Sequence, residues 1–249
     1  MGKQMIIKLT DKEQKNLEIV HIGNRIFPKE YIKERDEYWD KASSDFSSKG
    51  KKVWNGKLYS FEGINEYDMD TPKIYLGEIM YSDRIFKNGK GIEYIEKKYS
   101  KENISIHCGV SIVMITTDNK FVVGKKKHDL KNRIGMYSHI SGNLNVDELE
   151  VNNMKDIYKF AKKELEEESA LKVDNTLLKF NHINIFNTYC SFDFIYKVPF
   201  DSTKVGLVNK DDEMLVYEAL TLDEILDSKC KGISDFMFSK RYLKKIIAS

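Results

Sequence analysis

Proline is scarce, with three residues in 249, and the 14 glycines show no period. Collagen-like and proline-rich extended chains are excluded on that ground. Cysteine is scarcer still in useful form. Cys108, Cys190 and Cys230 are an odd number, far apart, without a C-x-x-C or a histidine at metal-ligand spacing. No disulfide scaffold or zinc knuckle fits them, and they read as reduced thiols of a cytoplasmic protein. No charge dominates: 41 Lys+Arg against 39 Asp+Glu leave a formal charge of +2. A nucleic-acid coat or a membrane-surface protein would carry a larger imbalance, so neither DNA nor membrane is expected as a partner. No run approaches the roughly 18 apolar residues of a membrane span, and MGKQMIIKLTDKEQ contains no apolar signal core. Arginine is also short: Arg25, Arg35, Arg84, Arg133 and Arg241 are all there are. A coding bias toward lysine explains this, and it allows a lysine to stand where related chains carry arginine.

What is present supports a filled core: 41% hydrophobic and 12% aromatic residues. The length permits one large domain or two small ones. The pattern divides into a β-rich region over 1–103 and a second domain over 104–249. In the first, strands are expected at 5–9 and 17–22, a charged helix over 28–42, a Ser/Lys/Gly-rich surface loop over 43–52, β-structure from 54 to 86, and a short helix over 91–99. In the second, CGVSIVMITTD and FVVGKKK form a hairpin around Asp118-Asn119-Lys120. A short apolar segment, 136–140, leads to Ser141-Gly142-Asn143. A long helix follows over 151–170, because Met154, Ile157, Tyr158, Ala161 and Leu165 recur at steps of three and four. Asn152 or Asn153 is its N-cap. Strands are expected at 180–188, 191–198 and 214–220, and a basic-ended helix over 222–247. The fold class is mixed α/β (α+β).

The most informative segment is Lys163-Glu164-Leu165-Glu166-Glu167-Glu168-Ser169-Ala170-Leu171. In helical geometry Glu164 precedes Glu167 and Glu168 by one turn, so three carboxylates share a face. Crowded like charges cost a few tenths of a kcal/mol per exposed pair unless a cation joins them. Oxygen-only ligands of this kind suit a hard ion, Mg²⁺ or Mn²⁺, rather than zinc. In a chain rich in Lys and Glu the same segment also reads as a solvated helix face.

Its context resembles the Nudix box, Gly-x5-Glu-x7-Arg-Glu-U-x-Glu-Glu-x-Gly-U, with U bulky and apolar. Gly142 is followed by Glu148 at the right spacing, and KELEEESAL supplies Lys163 for the Arg, Glu164, Leu165, Glu167, Glu168, Ala170 for the Gly, and Leu171. The hairpin before it is similar to the opening of a Nudix domain. The resemblance covers residues 104 to 249. Three departures stand out. Fourteen residues separate Glu148 from Lys163 where the pattern has seven, Lys163 and Ala170 replace the usual Arg and Gly, and Ser141 stands where many members have glycine. Lysine keeps the charge but loses the bidentate fork.

The resemblance implies a Nudix fold, a mixed sheet sandwiched between helices. It implies a Mg²⁺-dependent (or Mn²⁺-dependent) hydrolase that cleaves the diphosphate of a nucleoside diphosphate linked to another moiety. Glu164, Glu167 and Glu168 are then the metal carboxylates, with the Ser141 or Gly142 carbonyl as a further ligand and Glu148–Lys163 as a structural pair. The general base is Glu164 itself or an acid outside the box. Among the latter, Glu213 in Asp211-Asp212-Glu213 is preferred, although that trio also reads as an ordinary acidic turn. His139 either faces the phosphates or is a strand residue; Lys125, Lys126 and Lys127 either contact phosphate or end a solvated strand. Trp54-Asn55-Gly56, IYLGEIMYSD and S-x-V-x-x-T-T-D are similar to the UDP-sugar diphosphatase branch, which also carries an insertion in the box. That favours an NDP-sugar-like metabolite. Trp54 or Tyr81 can stack on a base or simply pack in the core. The other readings are an RNA 5′-end pyrophosphohydrolase or decapping activity, and a Nudix protein that binds a nucleotide without hydrolysis. A homodimer is compatible with the sequence.

Overall fold

Helix α2 (Lys29–Ser48) shows how the first part of the chain is built. Its half-buried and buried residues, Tyr31, Glu34, Arg35, Tyr38, Trp39, Ala42, Ser43 and Phe46, recur at steps of three and four along one face. The expected Ser-rich loop from 43 is therefore helical to Ser48. Phe46 extends the apolar stripe, and Ser43 and Ser48 bond back to the carbonyls of Asp40 and Asp45, at 3.1 and 2.8 Å.

The computed structural model describes residues 4–48, 54–65, 71–126, 137–186, 188–207 and 214–227. The chain divides into two units: Met1–Gly109 with Asn143–Ile157 and Ile185–Ser191, and Val110–Gly142 with Tyr158–Asn184 and Phe192–Ser249.

In the first unit, β1 (Met5–Ile7) leads to α1 (Asp11–Asn16), opened by a capping box between Thr10 and Glu13. Strand β2 (Glu18–Asn24) pairs in parallel with β4 (Lys73–Met80), which pairs antiparallel with β3 (Lys57–Asn65) in the register Leu58↔Ile79 and Phe61↔Leu76. The β-structure expected up to residue 86 stops at Met80, and YSDRIF opens helix α3 (Tyr81–Lys90). The Asp83 carboxylate decides this by accepting from the Met80 N–H at 2.8 Å while Arg35 neutralises it at 3.0 Å. Helix α4 (Ile92–Tyr99) follows. Phe27, Tyr31, Leu58, Ile79, Phe86 and Ile95 form the core.

Residues 144–153 belong to this same unit. Main-chain bonds run from the Tyr59 N–H to the Leu144 carbonyl and from the Val146 N–H to the Lys57 carbonyl, both 3.0 Å. The Tyr59 hydroxyl donates to the Leu149 carbonyl and accepts from the Val151 N–H, at 3.2 and 3.3 Å. Of the fourteen residues between Glu148 and Lys163, the first five thus lie in a segment laid onto β3, and the other nine form the start of α5.

In the second unit, which takes β5 (His107–Ile115) from Val110 onward, the hairpin of β5 and β6 (Phe121–Lys126) turns at Asn119, whose φ of +61° is the left-handed geometry the sequence predicts. Strand β7 (Tyr137–Ser138) and β11 (Met214–Leu220) pair antiparallel with β6 on its two sides. Strand β8 (Ile140–Asn143) precedes α5 (Met154–Ser169), and β9 (Leu178–Phe186) and β10 (Tyr189–Lys197) follow. A short helix α6 (Leu222–Leu226) ends the described chain. Asn153 is the N-cap of α5, accepting from the Lys155 N–H at 2.9 Å. The mixed α/β class read from the sequence is the class observed. Among the described residues no helix is long and apolar enough to cross a membrane.

Candidate functional site

Helix α5 buries Met154, Ile157, Ala161 and Leu165 at or below 3% exposure, and these positions aim its remaining faces. In the last two turns Glu164 is half-buried, Glu167 exposed and Glu168 buried. The helix has no basic residue in its last turn. Carboxylates there sit at the negative end of the macrodipole, where cations are favoured. The macrodipole therefore opposes these charges, while Lys162 and Lys163 pair with Glu166 and Glu167 at i,i+4, at 3.7 and 3.8 Å.

Gly142 explains what the acids face. A Cβ at this position would lie 2.7 Å from Glu164 Cγ and closer still to its carboxylate, so only glycine lets the side chain rest against the loop backbone. One residue earlier, the Ser141 N–H donates to Glu168 Oε1 at 3.4 Å. Two acids of the last turns thus converge on 141–142. Glu167 turns instead toward Lys163, 3.8 Å away at i,i+4, and Lys163 lies 5.9 Å from the centre of the Phe160 ring. Among the described residues no three His, Cys, Asp or Glu side chains are close enough together to hold an ion in these rotamers. The donor set fits a hard divalent ion nonetheless. Its ligands would be Glu164 and Glu168 with the Ser141–Gly142 backbone, joined by Glu167 through rotation of an exposed side chain.

The turn after the helix is built around the missing glycine. Ala170 has φ +53°, the left-handed cap position glycine normally fills, and its N–H bonds to the Glu166 carbonyl at 2.9 Å. The Glu166 carboxylate accepts from the Val173 N–H at 3.1 Å, which gives it a structural task apart from its three neighbours.

Glu148 accepts from the Asn145 side chain at 3.0 Å, and it and Lys163 fall in different units. His139 is half-buried between β7 and β8. The Lys125 ammonium lies 5.9 Å from the centre of the Tyr137 ring, whose hydroxyl donates to Glu218 at 2.7 Å. Tyr137 packs with Phe121 and Val123, so Lys125 occupies the face of β6 that carries that core. Glu213 and Lys127 lie outside the described residues. Trp54 is 38% exposed and packs on Tyr81 at 5.5 Å, and Tyr81 also meets Trp39 and the Arg84 guanidinium. One contact was not foreseen. The buried Tyr217 hydroxyl donates to the Glu168 carbonyl at 3.1 Å; a single tyrosine in a strand carries no sequence signal for it.

No protein-family model matches the chain, and no curated protein matches it. Solved structures similar to parts of it include a MutT/nudix family protein from Enterococcus faecalis, with 10% identity over 46% of this chain and a TM-score of 0.34. The chain spans 43% of that protein's length. A MutT protein from Methanosarcina mazei Go1 aligns at 12% identity over 56% of this chain and 91% of its own, TM-score 0.38. A NUDIX hydrolase from Nitrosomonas europaea aligns at 14% over 57% and 89%, TM-score 0.38. Likenesses of this size fix neither family nor substrate.

Proposed function

We propose that this chain is a Nudix-type pyrophosphohydrolase, dependent on Mg²⁺ or Mn²⁺, that cleaves the diphosphate of a nucleoside diphosphate linked to another moiety, with an NDP-sugar-like metabolite favoured. The observation that carries the reading is the meeting of Gly142 and Glu164, the glycine and an acid of one sequence pattern brought together across a long insertion. The Glu164 carboxylate occupies the space beside Gly142 that a Cβ would fill.

A bound divalent ion would neutralise phosphoryl charge and lower the pKa of the attacking water. The protein's own share is geometric. Glu164 and Glu168 are held at the loop by Gly142 and the Ser141 N–H. Glu167 closes the ligand set from the exposed side of the helix, and the same Lys163 contact that now holds it keeps it within reach. Glu164 or Glu213 takes the proton of the water. The segment 144–153, fixed on Tyr59, sets where α5 begins.

The test is phosphate release, coupled to alkaline phosphatase, from a panel of NDP-sugars, CDP-alcohols, dinucleotides and NTPs, with and without Mg²⁺. Metal-dependent turnover of one compound class, lost in Glu167→Gln, supports the reading. Silence across the panel from folded protein rejects it in favour of RNA ends or nucleotide binding without hydrolysis.

A further inference from the structure

The last carbonyls of a helix have no intrahelical donor and need one from elsewhere. At the end of α5 the donors are specific. The Ser169 hydroxyl bonds back to the Leu165 carbonyl, the Ala170 N–H bonds to the Glu166 carbonyl, and the Tyr217 hydroxyl bonds to that of Glu168. The first two are local. The third arrives from β11, 49 residues away in sequence, and ends on the residue whose carboxylate accepts from the Ser141 N–H. Glu168 is thereby held at both ends.

The strand is adjusted to make this contact. Between Met214 and Val216 the register of β11 on β6 shifts, so that Val216 faces Lys125 and Tyr217 faces Gly124. A one-residue slip sends every following side chain to the other face of a sheet. With the register of Met214↔Lys126 continued, Tyr217 would share the face of Val123, which belongs to the Val113–Phe121–Ile225 core. The bulge places it on the opposite face. Bulges are frequent where a side chain has to be re-aimed. The electrostatics agree: a hydroxyl hydrogen aimed at the Glu168 carbonyl offsets negative potential where the helix end and its acids concentrate it.

Resting on the metal-site reading above, we infer that Tyr217 is a positioning residue of the carboxylate cluster, fixing the Glu168 main chain so that its side chain is presented at the Ser141–Gly142 loop. It touches neither substrate nor ion. Its effect is on how strongly the acids gather a cation. A cap that served stability alone would be interchangeable with any other hydrogen bond of that turn.

Mn²⁺ alone is the probe, titrated against the full chain with free Mn²⁺ read by electron paramagnetic resonance and unfolding temperature measured on the same samples. Three proteins are compared: wild type, Tyr217→Phe, which keeps the ring and loses the hydroxyl, and Ser169→Ala, which removes the neighbouring bond to the Leu165 carbonyl. The expected result is roughly tenfold weaker Mn²⁺ binding in Tyr217→Phe, the size usual for losing an outer hydrogen bond that orients a ligand. Ser169→Ala should lose unfolding temperature while binding Mn²⁺ within twofold of wild type. Equal Mn²⁺ affinity in wild type and Tyr217→Phe overturns the inference while leaving the metal site intact. Equal weakening in both variants makes Tyr217 a structural cap only and also overturns it. No saturable site in wild type removes the metal reading itself, and the inference falls with it.

Discussion

Glu34 and Glu168 are both acids on helices, and the molecule treats them oppositely. Glu34 in α2 is surrounded by donors. Lys98 and Lys90 approach to 2.6 and 3.1 Å, the Tyr94 hydroxyl lies at 2.5 Å, and Tyr99 adds another hydrogen bond. These hydrogen bonds hold its carboxyl well below the usual range, against the opposing effect of burial. Arg35 and Asp83 beside it are paired at 3.0 Å. At the end of α5, Glu164 and Glu168 instead lie against the Ser141–Gly142 backbone, at the negative end of their own helix. Charge in the α2–α3 region completes itself within the protein. At the end of α5 the acids are held more loosely, Glu167 by Lys163 at 3.8 Å and Glu168 by the Ser141 N–H at 3.4 Å.

The sharpest way to break that contrast is Gly142→Ala. The added methyl displaces the Glu164 carboxylate from its place beside the loop, so metal-dependent turnover should fall by about 10–100-fold, as expected when the orientation of a ligand is disturbed. Gly63→Ala in β3 is the matched control. Nothing lies within 4 Å of its Cβ position, and activity measured beside it should be unchanged.

Removing Glu34 should cost stability and not activity. Glu34→Gln loses charge-assisted hydrogen bonds worth about 1–3 kcal/mol, read as a lower denaturant midpoint with wild-type turnover. Because the folded carboxyl titrates below its unfolded value, this contribution is present above about pH 4.3 and lost as pH falls. The stability difference between variant and wild type should therefore shrink in acid.

Lys87 carries a penalty of the opposite kind. Its ammonium is buried, donating to the carbonyls of Ser105 and Thr188 and lying 3.5 Å from His107 Nδ1. Burial pushes its pKa down to about 7, with the charges of Arg84 and Arg25 adding to the effect. The folded state then binds fewer protons than the unfolded one from about pH 7 to 10.4, so this group makes stability rise with pH across that window. The slope should approach but not exceed about 1.4 kcal/mol per pH unit, and denaturant titrations of Lys87→Met should lack it. The smallest effect belongs to Ala170→Gly, which relieves a left-handed alanine. A gain of about 0.5–1 kcal/mol in stability, with Mn²⁺ affinity unchanged, is expected.

Periodicity made α5, the hairpin at Asn119 and the Asn153 cap legible, because each depends on neighbours within a few residues. The Gly142–Glu164 approach is legible only through the resemblance of the spacing to the Nudix box, and the structure shows the two residues in contact. The strand-like reading of YSDRIF failed because an apolar run bordered by tyrosines suits either element, and the Arg35–Asp83 contact that selects helix is tertiary. The Ser-rich stretch 43–48 stays helical because Phe46 continues the half-buried face of α2 and the serine hydroxyls bond back to main-chain carbonyls. Neither the docking of 144–153 onto β3 nor the reach of Tyr217 leaves a local trace, since both pair segments distant in sequence.

The claim that the end of α5 is a cation site is tested most directly by unfolding temperature against Mg²⁺ concentration, in wild type and in Glu164→Gln. A ligand that binds only the native state raises that temperature in proportion to the logarithm of its concentration above Kd. Wild type should show that rise, and Glu164→Gln should remain flat. Superimposable curves, whether both rising or both flat, would contradict the account.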